Sequence, residues 1–216
     1  MTRFFEATPP LRTKICGVTS LEDAEMAIKA GADALGFNFF PGSKRVVDLK
    51  ECAAWIGKLA GQADRVAVVV NPTAEEVAGL RDSGCFEAIQ FHGDETPEFC
   101  AAAGFQTWIR AVRLKDKSVF EAALAYDTPY LLLDGWSATD YGGTGNRVDW
   151  DLVRECVLSQ PERKIIVAGG LTPSNVRDAV RIVRPHGVDV ASGVELEPRK
   201  KSEYLMRAFV EQAASA

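Results

Sequence analysis

Eight apolar, β-rich runs alternate with eight helix-like stretches along the chain. The runs lie at about residues 12–17, 34–40, 65–71, 88–92, 107–113, 130–134, 164–168 and 188–192. The helical patterns lie at about residues 21–30, 48–60, 73–83, 96–103, 118–126, 149–158, 174–184 and 202–214. Runs such as "VAVVV" and "IIVA" are continuously apolar, as expected of parallel strands that are covered on both faces. The alternation therefore predicts an α/β fold made of strand–helix units.

The number of units and the chain length favour a closed barrel. Eight units in 216 residues predict a single-domain (β/α)8 TIM barrel, a fold whose usual length is about 250 residues and whose lower limit is about 200. An open doubly wound sheet uses the same alternation, but its first strand usually runs into a glycine-rich turn. Here the first strand is followed by "CGVTS", which holds one glycine. We expect the barrel at residues 12–216, after an N-terminal extension at residues 1–11.

Composition argues against several classes of protein. The chain is 47% hydrophobic and 25% charged, which is ordinary for a globular domain. Its formal charge of −5 gives no attraction to nucleic acid or to an anionic membrane. No apolar stretch approaches the roughly 20 residues of a membrane span, and the N-terminus lacks a signal-peptide core. We therefore expect a cytoplasmic protein with no nucleic-acid or membrane partner, and its oligomeric state stays open.

The cysteines do not form a recognisable metal site. They are Cys16, Cys52, Cys85, Cys100 and Cys156. Because there is no C-x-x-C pair and the two histidines lie far apart in sequence, a structural zinc site is not expected. Reduced and mostly buried thiols are the ordinary interpretation. Cys16 differs from the rest because it ends the first strand, where it could be a nucleophile, a metal ligand or a proton-transfer group.

Polar residues at the strand ends are the candidates for chemistry, because active sites of such barrels lie at the C-terminal ends of the strands. Cys16 ends strand one and Asp134 ends strand six, so the two would face one substrate from opposite sides. A thiol is already a usable base near neutral pH, and a low-dielectric pocket would turn Asp134 into a plausible general acid. Such a pair suits isomerisation better than hydrolysis. The alternative for Asp134 is a carboxylate that only orders its own loop.

Small residues follow the last two strands, in "VAGGLTPSN" and "VASGVE". Gly169 and Gly170 in one loop, with Ser192 and Gly193 in the other, would leave backbone N–H groups free to face an anion. This is the usual phosphate site of the fold. The alternative is that these glycines only form tight turns. One such pair of loops indicates a small-molecule substrate that carries one phosphate.

Eight segments form an ordered set along the chain. They are "KICGVTSLEDA", "GADALGFNFFPGSKR", "QFHGDETPE", "IRAVRL", "LLLDG", "YGGTGNRVDWDLV", "AGGLTPSNV" and "GVDVASGVE". From Lys14 to about Glu195, this set resembles the phosphoribosylanthranilate isomerase family of tryptophan biosynthesis. The resemblance implies an Amadori rearrangement of N-(5′-phosphoribosyl)anthranilate to 1-(2-carboxyphenylamino)-1-deoxy-D-ribulose 5-phosphate. It also implies that neither a metal nor an organic cofactor takes part.

The resemblance implies roles for individual residues. Cys16 in "KICG" would be the general base, and Asp134 at the end of strand six would be the general acid. Arg45, after Pro41 and Ser43, would contact the anthranilate side of the substrate. The phosphate would bind the loops around Gly169, Gly170, Ser192 and Gly193, the same four residues that the strand-end pattern selects.

The segment after "SGVE" departs from the family. The family usually continues to P-G-x-K-D, where this chain has "PRKKS". Arg199 therefore replaces a glycine and Ser202 replaces an aspartate. Serine still caps a helix well. Losing the glycine could reshape the rim beside the phosphate, so the departure bears on substrate affinity more than on the reaction.

Two other functions compete with this one. The first is a dual-substrate isomerase that also accepts the bis-phosphate of histidine synthesis. Such relatives carry an aspartate on strand one and a second phosphate site between strands three and four, whereas this chain has Cys16 and the glycine-free "VVVNPTAEE". The second is a barrel that has lost catalysis and only binds a phosphorylated metabolite.

Overall fold

The computed structural model describes residues 4–5, 11–135 and 148–216. Eight parallel strands close into a barrel in chain order, which confirms the single-domain (β/α)8 fold. The strands are β1 (Arg12–Cys16), β2 (Ala34–Asn38), β3 (Asp64–Val69), β4 (Ala88–Phe91), β5 (Thr107–Leu114), β6 (Tyr130–Gly135), β7 (Lys164–Val167) and β8 (Gly187–Val190). A short hairpin follows β8 and a 3-10 turn at Ser192–Val194; it consists of β9 (Glu195–Glu197) and β10 (Lys200–Lys201).

A helix follows each barrel strand. The helices are α1 (Leu21–Lys29), α2 (Leu49–Gly57), α3 (Ala74–Asp82), α4 (Pro97–Ala101), α5 (Lys117–Ala123), α6 (Trp150–Ser159), α7 (Val176–Val183) and α8 (Glu203–Ala214). The helices predicted at 48–60 and 118–126 end earlier, at Gly57 and Ala123, because the next residues form turns. Within the ranges that the structure describes, no helix has both the length and the apolar character needed to cross a membrane.

Several helices begin at the capping residues that the sequence indicates. Ser20 accepts a hydrogen bond from a backbone N–H in the first turn of α1. Thr73 and Glu76 form a reciprocal capping box at α3. Thr96 caps α4 ahead of a proline in its first turn. Ser202, which replaces the family's aspartate, accepts from the Leu205 N–H and caps α8 as expected.

The barrel interior has an apolar middle and a polar end. Alternate strand residues point inward, and the register sets Cys16 beside Gly36 on β2 and Lys14 beside Asp189 on β8. The apolar middle consists of Ala34, Val66, Ala88, Ile109, Ala111, Tyr130, Leu132, Ile166 and Ala168. A second core, between strands and helices, includes Leu35, Phe37, Leu131, Val188 and Phe209. The C-terminal ends of the strands carry the buried polar side chains of Lys14, Asp134 and Asp189.

Two residues of the predicted N-terminal extension close the opposite end of the barrel. Phe4 and Phe5 are buried, and the Phe4 N–H donates to Asp64 Oδ2 at 2.6 Å. The Tyr130 hydroxyl donates to the Phe5 carbonyl at 2.8 Å, and the His186 ring packs edge-on against Phe4. His186 thus has a structural position at the N-terminal end. The two phenylalanines act as a plug that isolates the apolar middle from solvent.

Phe4→Ala should lower the free energy of unfolding by about 3 kcal/mol, because it empties a fully buried aromatic site. Urea denaturation measures this change. Tyr204→Ala is the control, since Tyr204 is 77% exposed and its loss should change stability by less than about 0.5 kcal/mol. Equal denaturation midpoints for Phe4→Ala and the unmodified chain would show that the plug contributes nothing.

Candidate active site

The C-terminal mouth of the barrel brings the predicted site residues together. Cys16 is the last residue of β1, and Asp134 is the second-last residue of β6. A small cavity in this mouth is lined by Asp134, Gly169, Gly170 and Ser192. The proposed acid and three of the four proposed phosphate residues therefore share one cavity.

The two glycine-rich loops require glycine for reasons of backbone geometry. Gly169 and Gly170 have φ values of +84° and +64°, in the left-handed region that glycine adopts at little cost. A Cβ on Gly193 would lie 1.9 Å from the carbonyl oxygen of Leu171, so no side chain fits there. The loops after β7 and β8 are thus in direct contact, and backbone forms much of the cavity wall.

Cys16 shares a small space with a lysine. A Cβ on Gly36 would lie 2.8 Å from Cys16 Sγ and 2.9 Å from Lys14 Nζ. Burial raises the pKa of the Cys16 thiol above its usual value, Lys14 and Lys201 oppose that rise, and Asp189 adds to it. The sulfur and the ammonium therefore both border the small space above Gly36, and they interact electrostatically.

Lys14 and Asp189 form a buried ion pair directly below the mouth. Lys14 Nζ lies 2.6 Å from Asp189 Oδ1, and the lysine side chain is 0% exposed. Burial by itself lowers the pKa of Lys14, but Asp189 and Cys16 raise it above its usual value. Lys14 is therefore a permanent cation next to the thiol.

A second charged group, made of Arg45, Glu195 and Lys201, lies on the other side of Cys16. Arg45 donates through Nε and Nη2 to the two Glu195 oxygens at 2.7 and 2.6 Å. Lys201 Nζ donates to Glu195 Oε1 at 3.0 Å and to the Cys16 carbonyl oxygen at 2.7 Å. A Cβ on Gly17 would lie 2.3 Å from Arg45 Cδ. Gly17 therefore allows the arginine side chain to pack against the end of β1.

Asp134 has a neutral histidine as a neighbour. The Asp134 side chain is 9% exposed; its Oδ1 accepts the Gly135 N–H at 2.8 Å, and its Oδ2 lies 3.6 Å from His92 Nε2. Burial, aided by Lys14, Arg110 and Arg113, lowers the pKa of His92 to about 3. His92 is thus uncharged at neutral pH, so the contact is not an ion pair.

The sequence pattern misses most of the charged residues around Cys16. Lys14 carries one usable signal, because it lies two residues before Cys16 and so on the same face of β1. Asp189 carries another, as a charged residue within the apolar run "GVDVA". Lys201 matches the lysine of P-G-x-K-D, but nothing in the local pattern places it or Glu195 beside Cys16 and Arg45, which are far away in sequence.

Residues 13–212 match the family described as N-(5′-phosphoribosyl)anthranilate (PRA) isomerase. The chain belongs to this family. It is 44% identical over 200 residues to the N-(5′-phosphoribosyl)anthranilate isomerase of Magnetococcus marinus, which covers 93% of each chain. It is 39% identical over 200 residues to that of Pelobacter propionicus, covering 93% of this chain and 94% of the relative.

Solved structures of phosphoribosyl anthranilate isomerases have the same fold. The Thermotoga maritima structure superposes with a TM-score of 0.86 at 35% identity, covering 96% of this chain and 100% of that one. Another solved phosphoribosyl anthranilate isomerase, in complex with reduced 1-(o-carboxyphenylamino)-1-deoxyribulose 5-phosphate, has a TM-score of 0.83 at 34% identity, with the same coverage. The family segment at 141–147 lies outside the described residues.

Arg199 stands where the P-G-x-K-D segment of the phosphoribosylanthranilate isomerase family has a glycine. Its φ is +76°, in the left-handed region where the family's glycine has no Cβ penalty. Arg199 keeps that backbone shape, and its Nη1 donates to the Val46 carbonyl at 2.8 Å. Its own carbonyl accepts from the Thr19 hydroxyl at 3.1 Å. Arg199 thus adopts the left-handed backbone itself, and its side chain adds a link to the loop that carries Arg45.

Gly36→Ala should destabilise the fold by about 1–3 kcal/mol, because the new methyl group overlaps the Cys16 sulfur and the Lys14 ammonium. Gly79→Ala is the matched control: Gly79 lies in α3, and a Cβ there meets nothing within 4 Å. That change should stabilise the chain by up to about 1 kcal/mol through helix propensity. Urea denaturation of both variants checks this difference in sign, and shifts in the same direction would contradict the crowding above Gly36.

Proposed function

We propose that this chain catalyses the Amadori rearrangement of N-(5′-phosphoribosyl)anthranilate to 1-(2-carboxyphenylamino)-1-deoxy-D-ribulose 5-phosphate in tryptophan biosynthesis. Family membership supports the reaction. The observation that carries it is the arrangement of one mouth, where a buried carboxyl and a thiol end different strands beside a backbone-lined cavity. General acid–base chemistry of this kind needs no metal or organic cofactor. A cytoplasmic location remains a prediction.

Asp134 acts as the general acid. It gives its proton to the furanose ring oxygen, the bond from that oxygen to C1 breaks, and the open sugar becomes a protonated Schiff base. Asp134 suits this step because it is buried at the cavity, and His92 beside it is neutral. Burial of a carboxyl disfavours its charged form, and the protonated form is the one that this step needs.

Cys16 acts as the general base. Its thiolate removes the C2 proton, the electron pair of that bond forms the C1–C2 double bond, and the nitrogen of the Schiff base becomes neutral. The resulting enolamine tautomerises to the ketone. One proton is given by Asp134 and one is taken by Cys16, so a proton exchange with solvent restores both residues. Each well-placed transfer typically accelerates a reaction by about 10²–10⁴-fold.

The loops after β7 and β8 bind the phosphate. Gly169, Gly170 and Ser192 line the cavity, and Gly193 is packed against the neighbouring loop. Backbone N–H groups on such loops are the usual phosphate ligands of this fold. The related isomerase that was solved with a phosphorylated product analogue supports a monophosphate ligand.

Arg45 contacts the anthranilate side of the substrate. Glu195 takes up its Nε and Nη2, whereas Nη1 donates to no acceptor among the described residues. That nitrogen is therefore available to a carboxylate. The ion pair with Glu195, which is 4% exposed, fixes the plane of the guanidinium group.

The geometry between β3 and β4 argues against the dual-substrate alternative. The Glu95 carboxylate accepts the Asn71 N–H at 2.8 Å and the Gly93 N–H at 3.0 Å. Arg110 pairs with the same carboxylate at 2.7 Å. A buried protein anion thus already occupies the backbone donors that a second phosphate would need.

Cys16→Ala and Asp134→Asn should each lower kcat by about 10²–10⁴-fold, because each removes one proton transfer. The substrate is generated in situ, and its turnover is followed by the loss of anthranilate fluorescence. Cys52→Ala is the matched control, since Cys52 is buried in α2 and should leave kcat unchanged. Normal turnover in either site variant would refute the role of that residue. An inactive unmodified chain that still binds the product would favour the metabolite-binding alternative.

Arg45→Ala should raise the dissociation constant of the product by about tenfold or more, because a charge-assisted contact is lost. Isothermal titration with the product measures it, and thermal unfolding checks that the variant is folded. Arg207→Ala, at an exposed position on α8, is the control. Unchanged product affinity in a folded Arg45→Ala variant would remove Arg45 from the substrate site.

A further inference from the structure

Lys14 is the cation best placed to act on the Cys16 sulfur. It precedes Cys16 by two residues on β1, so both side chains point into the barrel. Sγ and Nζ both lie within 3 Å of the position that a Cβ on Gly36 would take, at 2.8 and 2.9 Å. Among the described residues, the one oxygen that accepts from Lys14 is Asp189 Oδ1. Because an ammonium has three N–H donors, Lys14 has donors left for the sulfur.

The hydrogen bonds that the other two cations near Cys16 make among the described residues go to groups other than its sulfur. Lys201 Nζ donates to the Cys16 carbonyl, the Ala191 carbonyl and Glu195, at 2.7, 2.9 and 3.0 Å. Those three acceptors account for its three N–H groups. Arg45 directs Nε and Nη2 to Glu195. These two residues contribute charge to the site but no hydrogen bond to the thiol.

The charges around Cys16 balance when the sulfur is ionised. Lys14 faces it from β1, Asp189 from β8, Lys201 from β10 and Arg45 from the loop after β2. Glu195 on β9 pairs with both Arg45 and Lys201. The cluster therefore holds three cations and two carboxylates, and a thiolate makes it neutral. Since an uncompensated buried charge is costly, these cations offset part of the burial cost that raises the pKa of Cys16.

We propose that Lys14, anchored by Asp189, is a positioning residue that holds the Cys16 sulfur in place and stabilises its thiolate form. This inference rests on the proposed function for its catalytic meaning, but its physical content concerns the thiol alone. Asp189 also lines the cavity beside Asp134. The ion pair therefore links the base to the substrate pocket.

The first test needs no substrate. The unmodified chain and Lys14→Met are treated with iodoacetamide over a range of pH, and alkylation of Cys16 is measured by peptide mass spectrometry. Loss of a cation next to a thiol raises the pKa of that thiol. At about pH 7, Cys16 in the variant should therefore be alkylated at about one tenth of its rate in the unmodified chain, or more slowly. The alkylation rate should recover at alkaline pH. Because only the thiol is read out, this result stands or falls independently of the isomerase activity.

The second test follows kcat/KM against pH. In Lys14→Met the acidic limb should move to higher pH, so activity lost near neutrality returns in alkaline buffer. Lys14→Arg keeps the positive charge, so the acidic limb of its kcat/KM profile should stay close to the pH at which it lies in the unmodified chain. Lys164→Met is the matched control, because Lys164 begins β7 at the opposite end of the barrel and contacts the Tyr130 hydroxyl at 3.1 Å. It should leave both pH profiles unchanged.

Identical alkylation profiles for Lys14→Met and the unmodified chain would overturn the proposal. A uniform loss of rate at every pH would also overturn it, since that is the result of a packing defect alone. If Lys14→Met does not fold, Lys14→Gln keeps a donor for Asp189 without the charge and is measured in its place. The same upward shift of the Cys16 profile is expected there.

Discussion

A buried ion pair lies at the seam where the barrel closes. β1 meets β8 there, and the register sets Lys14 directly beside Asp189, with Nζ and Oδ1 2.6 Å apart. Burying two charges carries a desolvation cost that such a pair recovers only with close geometry and further hydrogen bonds. An apolar pair would close this seam at least as well. The position of the ion pair explains its presence better than stability does. Lys14 lies two residues before Cys16 on β1, next to the Cys16 sulfur.

The two ends of the barrel separate stability from chemistry. At the N-terminal end, Phe4 and Phe5 seal the apolar middle, with Asp64 and Tyr130 satisfying their backbone groups. At the C-terminal end, close packing leaves no room for side chains at Gly36 and Gly193, and that space is taken by a thiol, an ammonium and backbone. The plug can stabilise the barrel at its N-terminal end, while the mouth at the other end keeps buried polar groups that an apolar core would not contain.

Sequence reasoning recovers what depends on local pattern. The strands and helices, the caps at Ser20, Thr73 and Ser202, and the positions of Cys16 and Asp134 at strand ends all follow from neighbouring residues. Contacts between remote residues do not follow: Lys201 reaches the Cys16 carbonyl across 185 positions, and no local pattern reports such a pair. Likewise, the left-handed backbone of Arg199 could not be predicted, because arginine rarely adopts that conformation.

The acid and the base are distinguished by their surroundings. Around Cys16 lie Lys14, Lys201 and Arg45, and such cations favour the ionised form of a thiol. Next to Asp134 lies His92, whose lowered pKa leaves it neutral. An ionised thiol and a protonated carboxyl are the two states in which the proposed reaction must begin. Burial is the largest cause of the lowered pKa of His92, and Lys14 adds to it, so one buried lysine acts on both sides of the mouth. The ion pair that closes the barrel therefore contributes to the electrostatics of both Cys16 and His92.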